Sequence, residues 1–199
     1  MREALPKLIG PADSYQARVS GSNIGADHLA SVHISGMRVA LARVPVLNLV
    51  ELNLRDVAFD RQQKRLTSVG EAHGQVKLVA GDLAEYLRLS GWLDRATVRF
   101  EPPNRIVATG IPSVAGIPVM SRGESEFQGR LFAQGSQVLL TVDYLRLGSV
   151  EATPVVCLVL RAALNPLFDI SGYPLPTRID SVQVRDGALL ILASGSAVP

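Results

Sequence analysis

Alternation of apolar and polar residues with period 2, the mark of strands that bury one face, runs through most of the chain. It opens weakly at Tyr15 to Gly21. Further on, Val32 and Ile34 are followed by Met37, Val39 and Leu41, so the apolar phase changes at Gly36. A bulge at that glycine would restore the buried face. The next stretch shifts phase twice: Leu47 and Leu49, then Leu52 and Leu54, then Val57 and Phe59, with Glu51, Asn53 and Arg55 outward. Long strands that change phase predict a strongly bent sheet. After a polar turn over 60–65, residues 72–78 alternate cleanly, with Glu71, His73, Gln75 and Lys77 on the other side. Further strands are expected at Ala96 to Phe100, Arg105 to Thr109, Ser125 to Ala133 and Gln137 to Leu147. Turn residues separate them at Pro102-Pro103-Asn104 and Gly135-Ser136. Asp186-Gly187, between Ile179, Val182, Val184 and Leu189, Ile191, predicts a closing hairpin.

Two stretches leave this period. Asp82 and Glu85 have capping-box spacing and introduce a helix over Leu83 to about Ser90, which Gly91 ends. From Thr153 to Asp169 the apolar run Val155 to Leu160 is continuous, Pro154 suits a first helical turn, and Arg161 and Asn165 are the polar positions. That pattern predicts a helix buried nearly all round, kinked or ended at Pro166. The expected fold is α+β: a long, strongly curved antiparallel sheet wrapped around one long apolar helix, plus the short helix. Residues 1–14 are expected to be an N-terminal stub and 15–195 a single domain, since no tandem repeat or linker is visible.

Composition narrows the function. At 199 residues, one core burying roughly 70% of the unfolded surface is within reach. Aromatics are only 5% of the chain, so its apolar content is mostly aliphatic, suited to a packed core or to a cavity for aliphatic ligands. Twenty basic and 18 acidic side chains leave a net charge of +2, too little to imply a nucleic-acid partner. The tightest basic group, Arg61, Lys64 and Arg65, suits an exposed loop, or a patch meeting anionic headgroups. The single cysteine, Cys157, excludes an internal disulfide and reads as a small buried side chain. No stretch reaches the roughly 20 apolar residues that span a bilayer, and Met1 to Gly10 lacks the apolar centre of a signal peptide. A removed leader or anchor stays open.

The chain offers little chemistry. His28, His33 and His73 stand apart, with no metal-ligand spacing. Neither a phosphate-binding glycine loop nor a nucleophile elbow is present, and Gly21-Ser22-Asn23-Ile24-Gly25 reads as a plain loop. Glu124 and Glu126, beside Arg122, look like a solvated strand edge; Asp143 and Tyr144, amid Leu139 to Leu147, stand where a strand residue could point inward, though an aspartate there usually faces outward. No catalytic residue, metal site or cofactor is assigned.

Asn165-Pro166-Leu167-Phe168-Asp169, then Tyr173-Pro174-Leu175-Pro176, then the Asp186-Gly187 hairpin resemble the C-terminal signature of the LmeA-like phospholipid-binding proteins, a bacterial cell-envelope group. The strand leading into Gly81-Asp82-Leu83-Ala84-Glu85-Tyr86-Leu87 is similar too, and the likeness extends over about residues 15–195. The resemblance implies a phospholipid or other acyl-chain ligand, contact with a membrane surface, an envelope or periplasmic location, and a sheet wrapped on helices as in tubular lipid-binding folds. It supplies no catalytic residue. The family's leader or anchor and N-terminal helix are not visible here. A groove between sheet and helices would be lined by Leu83, Leu87 and Trp92 around the short helix, and by Leu160, Leu164 and Phe168 on the long one; Trp92 could instead anchor at a lipid interface. A competing reading is a dry-cored structural or interaction module whose exposed edges meet another protein. A lipid-directed hydrolase is a third.

Overall fold

The computed structural model describes residues 10–22, 27–41, 44–60, 65–114, 117–118, 124–171 and 177–197. Most of the expected N-terminal stub, the loop at 23–25, Arg61, Lys64 and the segment Tyr173 to Pro176 lie outside these residues. One sheet is a meander of four strands, β1 (Ser14–Ser22), β2 (His28–Val39), β3 (Leu47–Asp60) and β4 (Arg65–Val79). The C-terminal hairpin of β13 (Thr177–Arg185) and β14 (Ala188–Ala197) extends it, and the order is β1-β2-β3-β4-β14-β13, antiparallel throughout. Asp186 and Gly187 both take positive φ, 50° and 70°, as a two-residue hairpin turn with the twist of its strands requires.

The inward phase of this sheet jumps in neighbouring strands at matching positions. Buried residues skip from Leu29 to Val32 on β2, from Leu54 to Val57 on β3 and from Val69 to Ala72 on β4. In the ladder Leu29 pairs with Val57 and Val57 with Val69, while Val32 pairs with Leu54 and Leu54 with Ala72. A second jump runs from Gly36 to Val39 on β2 and from Leu47 to Val50 on β3. The positive φ of Arg38 and Asp56, near 50°, marks these lines. They are creases shared across strands, which bend the sheet while one face stays buried. The shift therefore falls at Arg38, not at Gly36, which is itself inward. The first jump on β3 falls between Leu47 and Val50, so Leu49 lies on the face of Met37 and Lys77.

The second sheet runs in the order β11 (Val150–Glu151), β10 (Tyr144–Leu147), β8 (Ser125–Gln134), β6 (Arg105–Val114) and β5 (Leu93–Glu101). β7 (Ile117–Pro118) pairs with β6, and β9 (Gln137–Leu140) bridges β8 to β12 (Phe168–Asp169). The expected strand Gln137 to Leu147 is broken at 141–143, where the Thr141 carbonyl crosses Gly129 so closely that a Cβ there would collide with it. Two backbone bonds tie β13 to turns of this sheet: Val184 N–H donates to Pro103 O at 2.6 Å and Ile179 N–H to Gly135 O at 2.8 Å. Leu54, Leu78 and Leu189 from the first sheet and Phe127, Leu131 and Val138 from the second belong to one buried cluster.

Two helices stand among the described residues, α1 (Ala80–Leu89) and α2 (Pro154–Leu164). α1 begins three residues before the expected start, and Val79 at its N-cap provides no side-chain bond. Asp82 acts in the first turn instead, where a negative charge suits the helix dipole, and faces Arg38 at 3.5 Å. Backbone bonds from Gly91 N–H to Arg88 O and from Trp92 N–H to Leu87 O close its C-terminus in a Schellman pattern. α2 overturns the expected fold class. It is an 11-residue helix with one face on the core and the other exposed, so no long apolar helix is wrapped by the sheet. The described residues are mostly antiparallel β, with two short helices beside a curled sheet.

Candidate functional site

α2 follows the short β10–β11 hairpin and starts with Pro154 in its first turn, where a missing N–H costs nothing. The bond from Ala152 N–H to Leu145 O, 2.8 Å, holds the helix entrance against β10. Asn165 closes the other end by imitating a backbone unit. Its Nδ2 donates to Leu140 O and Arg161 O, both at 2.9 Å, and its Oδ1 accepts from Leu140 N–H at 2.7 Å. Leu167 and Phe168 are then buried, anchoring the chain beside β9. Asp169 accepts bonds from Ser171 N–H and Gln137 Nε2, both at 2.8 Å, and from the Ser136 hydroxyl. These donors, the Ser171 backbone first, lower its carboxyl from 3.8 to about 2.

With both ends fixed, helical spacing assigns the faces. Cys157, Leu160 and Leu164 are partly buried against the core. Val155, Leu158, Val159 and Ala162, at i, i+3, i+4 and i+7, face solvent. Val155 is 68% exposed, Leu158 64% and Val159 63%; Val150, just before the helix, is 66% exposed. An isolated exposed valine is ordinary on a protein surface, but a whole helical stripe of aliphatic side chains turned to water is not.

Beside this stripe lies an open cleft of about 400 Å³. Val142, Asp143, Tyr144 and Leu145 line one side; Glu151, Ala152 and the α2 residues Pro154, Cys157, Leu158 and Arg161 line the rest. Leu158 thus belongs both to the cleft wall and to the outer stripe. Asp143 turns outward, held by Arg130 through Nε at 2.8 Å and Nη2 at 3.3 Å and by the Thr141 hydroxyl at 3.0 Å. The Arg130 guanidinium keeps its carboxyl below the usual range. Arg161 and Glu151 have no ion-pair partner among the described residues. The cleft therefore combines the apolar Val142, Leu145, Ala152, Pro154 and Leu158 with a cation, Arg161, and an anion, Glu151, that lack ion-pair partners among the described residues.

The six side chains suggested by sequence scatter around this arrangement. Leu83, Leu87 and Phe168 are packed in the core; Leu160 and Leu164 lie partly buried on α2; Trp92, 37% exposed, sits on the turn after α1. Cys157 is half-buried in the cleft wall, not sealed in the core as expected. Val142, Tyr144 and Leu158, which do line the cleft, are not among those six. The i, i+3, i+4, i+7 stripe from Val155 to Ala162 was the available signal, read as a buried face because no polar residue interrupts it. Elsewhere, His33 Nδ1 meets Asn53 Oδ1 at 2.7 Å on the outer face of the first sheet. Glu126 is engaged by Gln128 and Arg146. Among the described residues, no three His, Cys, Asp or Glu are grouped so as to hold a metal ion.

A curled antiparallel sheet thus carries a cleft of mixed apolar and charged lining beside a helix whose outer aliphatic stripe is exposed. The chain belongs to the LmeA-like phospholipid-binding family, whose model matches residues 7–194. That family is described by what it binds, not by a reaction. No curated protein and no solved structure matches the chain. No helix among the described residues is long and apolar enough to cross a membrane.

Proposed function

We propose that this protein binds phospholipid in the bacterial cell envelope without chemistry, holding an acyl chain in the cleft between α2 and residues 142–145. The observation that carries this reading is the continuity of the cleft wall with the exposed aliphatic stripe through Leu158. At about 400 Å³ the cleft is near the lower end of ligand pockets, room for one chain and not a whole diacyl lipid. Each buried methylene contributes about 0.8 kcal/mol. The headgroup stays at the mouth, where Arg161 can meet phosphate. Of the six side chains suggested by sequence, Leu160 and Leu164 hold α2 to the core, Leu83, Leu87 and Phe168 are core packing, and Trp92 is partly exposed on the turn after α1.

Native mass spectrometry of protein purified without detergent, followed by solvent extraction, tests this. The expected result is phospholipid near one per chain, lost when the cleft is filled by Ala152→Trp. A clean apo mass that stays unchanged after incubation with liposomes would sink the reading. A stable oligomer in that case would favour an interaction module.

A further inference from the structure

From the outer face of α2 we infer that the protein docks on a lipid bilayer through this helix, which lies flat at the headgroup boundary and opens the cleft directly toward the membrane. The inference rests on the lipid-binding reading and adds where, and by which residues, the bilayer is met.

The face suits lipid better than protein. Val155, Leu158, Val159 and Ala162 form one stripe without a polar interruption, and Val150, on the strand before the helix, is exposed as well. The helix carries no acidic residue, and its one charge, Arg161, is exposed at the last turn without an ion-pair partner among the described residues. A long cationic side chain at the edge of an apolar stripe can keep its stem in the apolar layer and reach lipid phosphate. Area argues against a second copy of the chain. Eleven residues at 1.5 Å each, with a face roughly 10 Å wide, present about 170 Å². Two such faces would bury about 340 Å², far below the roughly 1,200 Å² of a stable protein interface. A bilayer needs no complementary partner surface, and a few aliphatic side chains give the reversible attachment a binding protein requires. Because Leu158 is shared by stripe and cleft, an acyl chain can leave the bilayer along apolar contacts without crossing water. Glu151, at the cleft, opposes strong attraction to anionic surfaces, so apolar insertion dominates and added salt weakens binding only slightly.

Flotation with phosphatidylcholine–phosphatidylglycerol vesicles tests the inference on the full chain. Wild type should float with the vesicles, and the double variant Val155→Asp and Val159→Asp should bind about 100-fold more weakly, as expected for losing two inserted valines. Neither residue lines the cleft and both are exposed, so the thermal melt should be unchanged. Val155→Leu with Val159→Leu should float at least as well as wild type. A short-chain diacyl phosphatidylglycerol, kept monomeric and followed by native mass spectrometry, separates the two readings: the aspartate variant should take it up as wild type does. Equal flotation of wild type and aspartate variant overturns docking through α2. So does wild type that takes up the monomeric lipid but ignores vesicles, while leaving the lipid-binding reading standing. Failure of wild type in both assays overturns docking and lipid binding together.

Discussion

The two helices are nearly equal in length and both lie beside a sheet, yet they treat water in opposite ways. α1 buries Leu83 and Leu87 and turns Glu85 and Arg88 outward, where two hydrogen bonds of 2.6 and 2.8 Å join them. Apart from Leu89 at its end, its outer surface is adapted to solvent. α2 is aliphatic on both faces; it is attached to the core by one and leaves the other bare. The difference lies in what covers the outer stripe, not in length or position. One helix completes the fold, while the other is attached to it with an aliphatic stripe left exposed among the described residues.

The largest expected effect sharpens that contrast. Leu83→Ala on α1 should cost about 2–5 kcal/mol in urea unfolding, because it empties a fully buried site. Leu158→Ala on α2 should change stability by less than about 0.5 kcal/mol while weakening lipid binding. Equal losses would mean that α2 is as much a core element as α1. Next in size is the anchor of α2. Asn165→Ala removes three hydrogen bonds to Leu140 and Arg161 and should cost about 2 kcal/mol, with faster amide exchange at Leu140. An unchanged melting curve would show that the helix end is held by other contacts.

The smallest effect is one of pH. Asp169, just after α2, has its carboxyl lowered from 3.8 to about 2 by hydrogen bonds that favour the ionised form. A depressed acid stabilises the fold above its unfolded value, and that contribution drains away as pH falls from about 4 to about 2. Denaturation midpoints for wild type should therefore fall across that window, and Asp169→Asn should flatten the fall. Identical slopes would show that other carboxylates control acid stability.

Much of the sheet was legible because period-2 alternation reports a buried face directly, and Asp186-Gly187 fixed the last hairpin. The bends were visible as phase jumps but displaced in position. The phase change in the sequence points to Gly36, whereas the backbone turns at Arg38, a residue whose side chain gives no hint of positive φ. The break at 141–143 was hidden because it depends on Gly129, a strand away. α2 was located by its apolar run but misread in depth. A run of aliphatic residues states an aversion to water and does not say whether protein or lipid replaces it. The cleft could not be seen at all in one dimension, since it needs the β10–β11 hairpin to bring residues 142–145 against the helix.

The chain's only cysteine provides the most direct test of the central claim, because Cys157 forms part of the cleft wall. The measurement is the rate of maleimide modification of the delipidated protein, before and after loading with a phospholipid whose occupancy is established by native mass spectrometry. Lipid in the cleft should slow modification at least about tenfold, and release of the lipid should restore the rate. A rate unaffected by stoichiometric lipid would place the ligand elsewhere and contradict the assignment of this cleft.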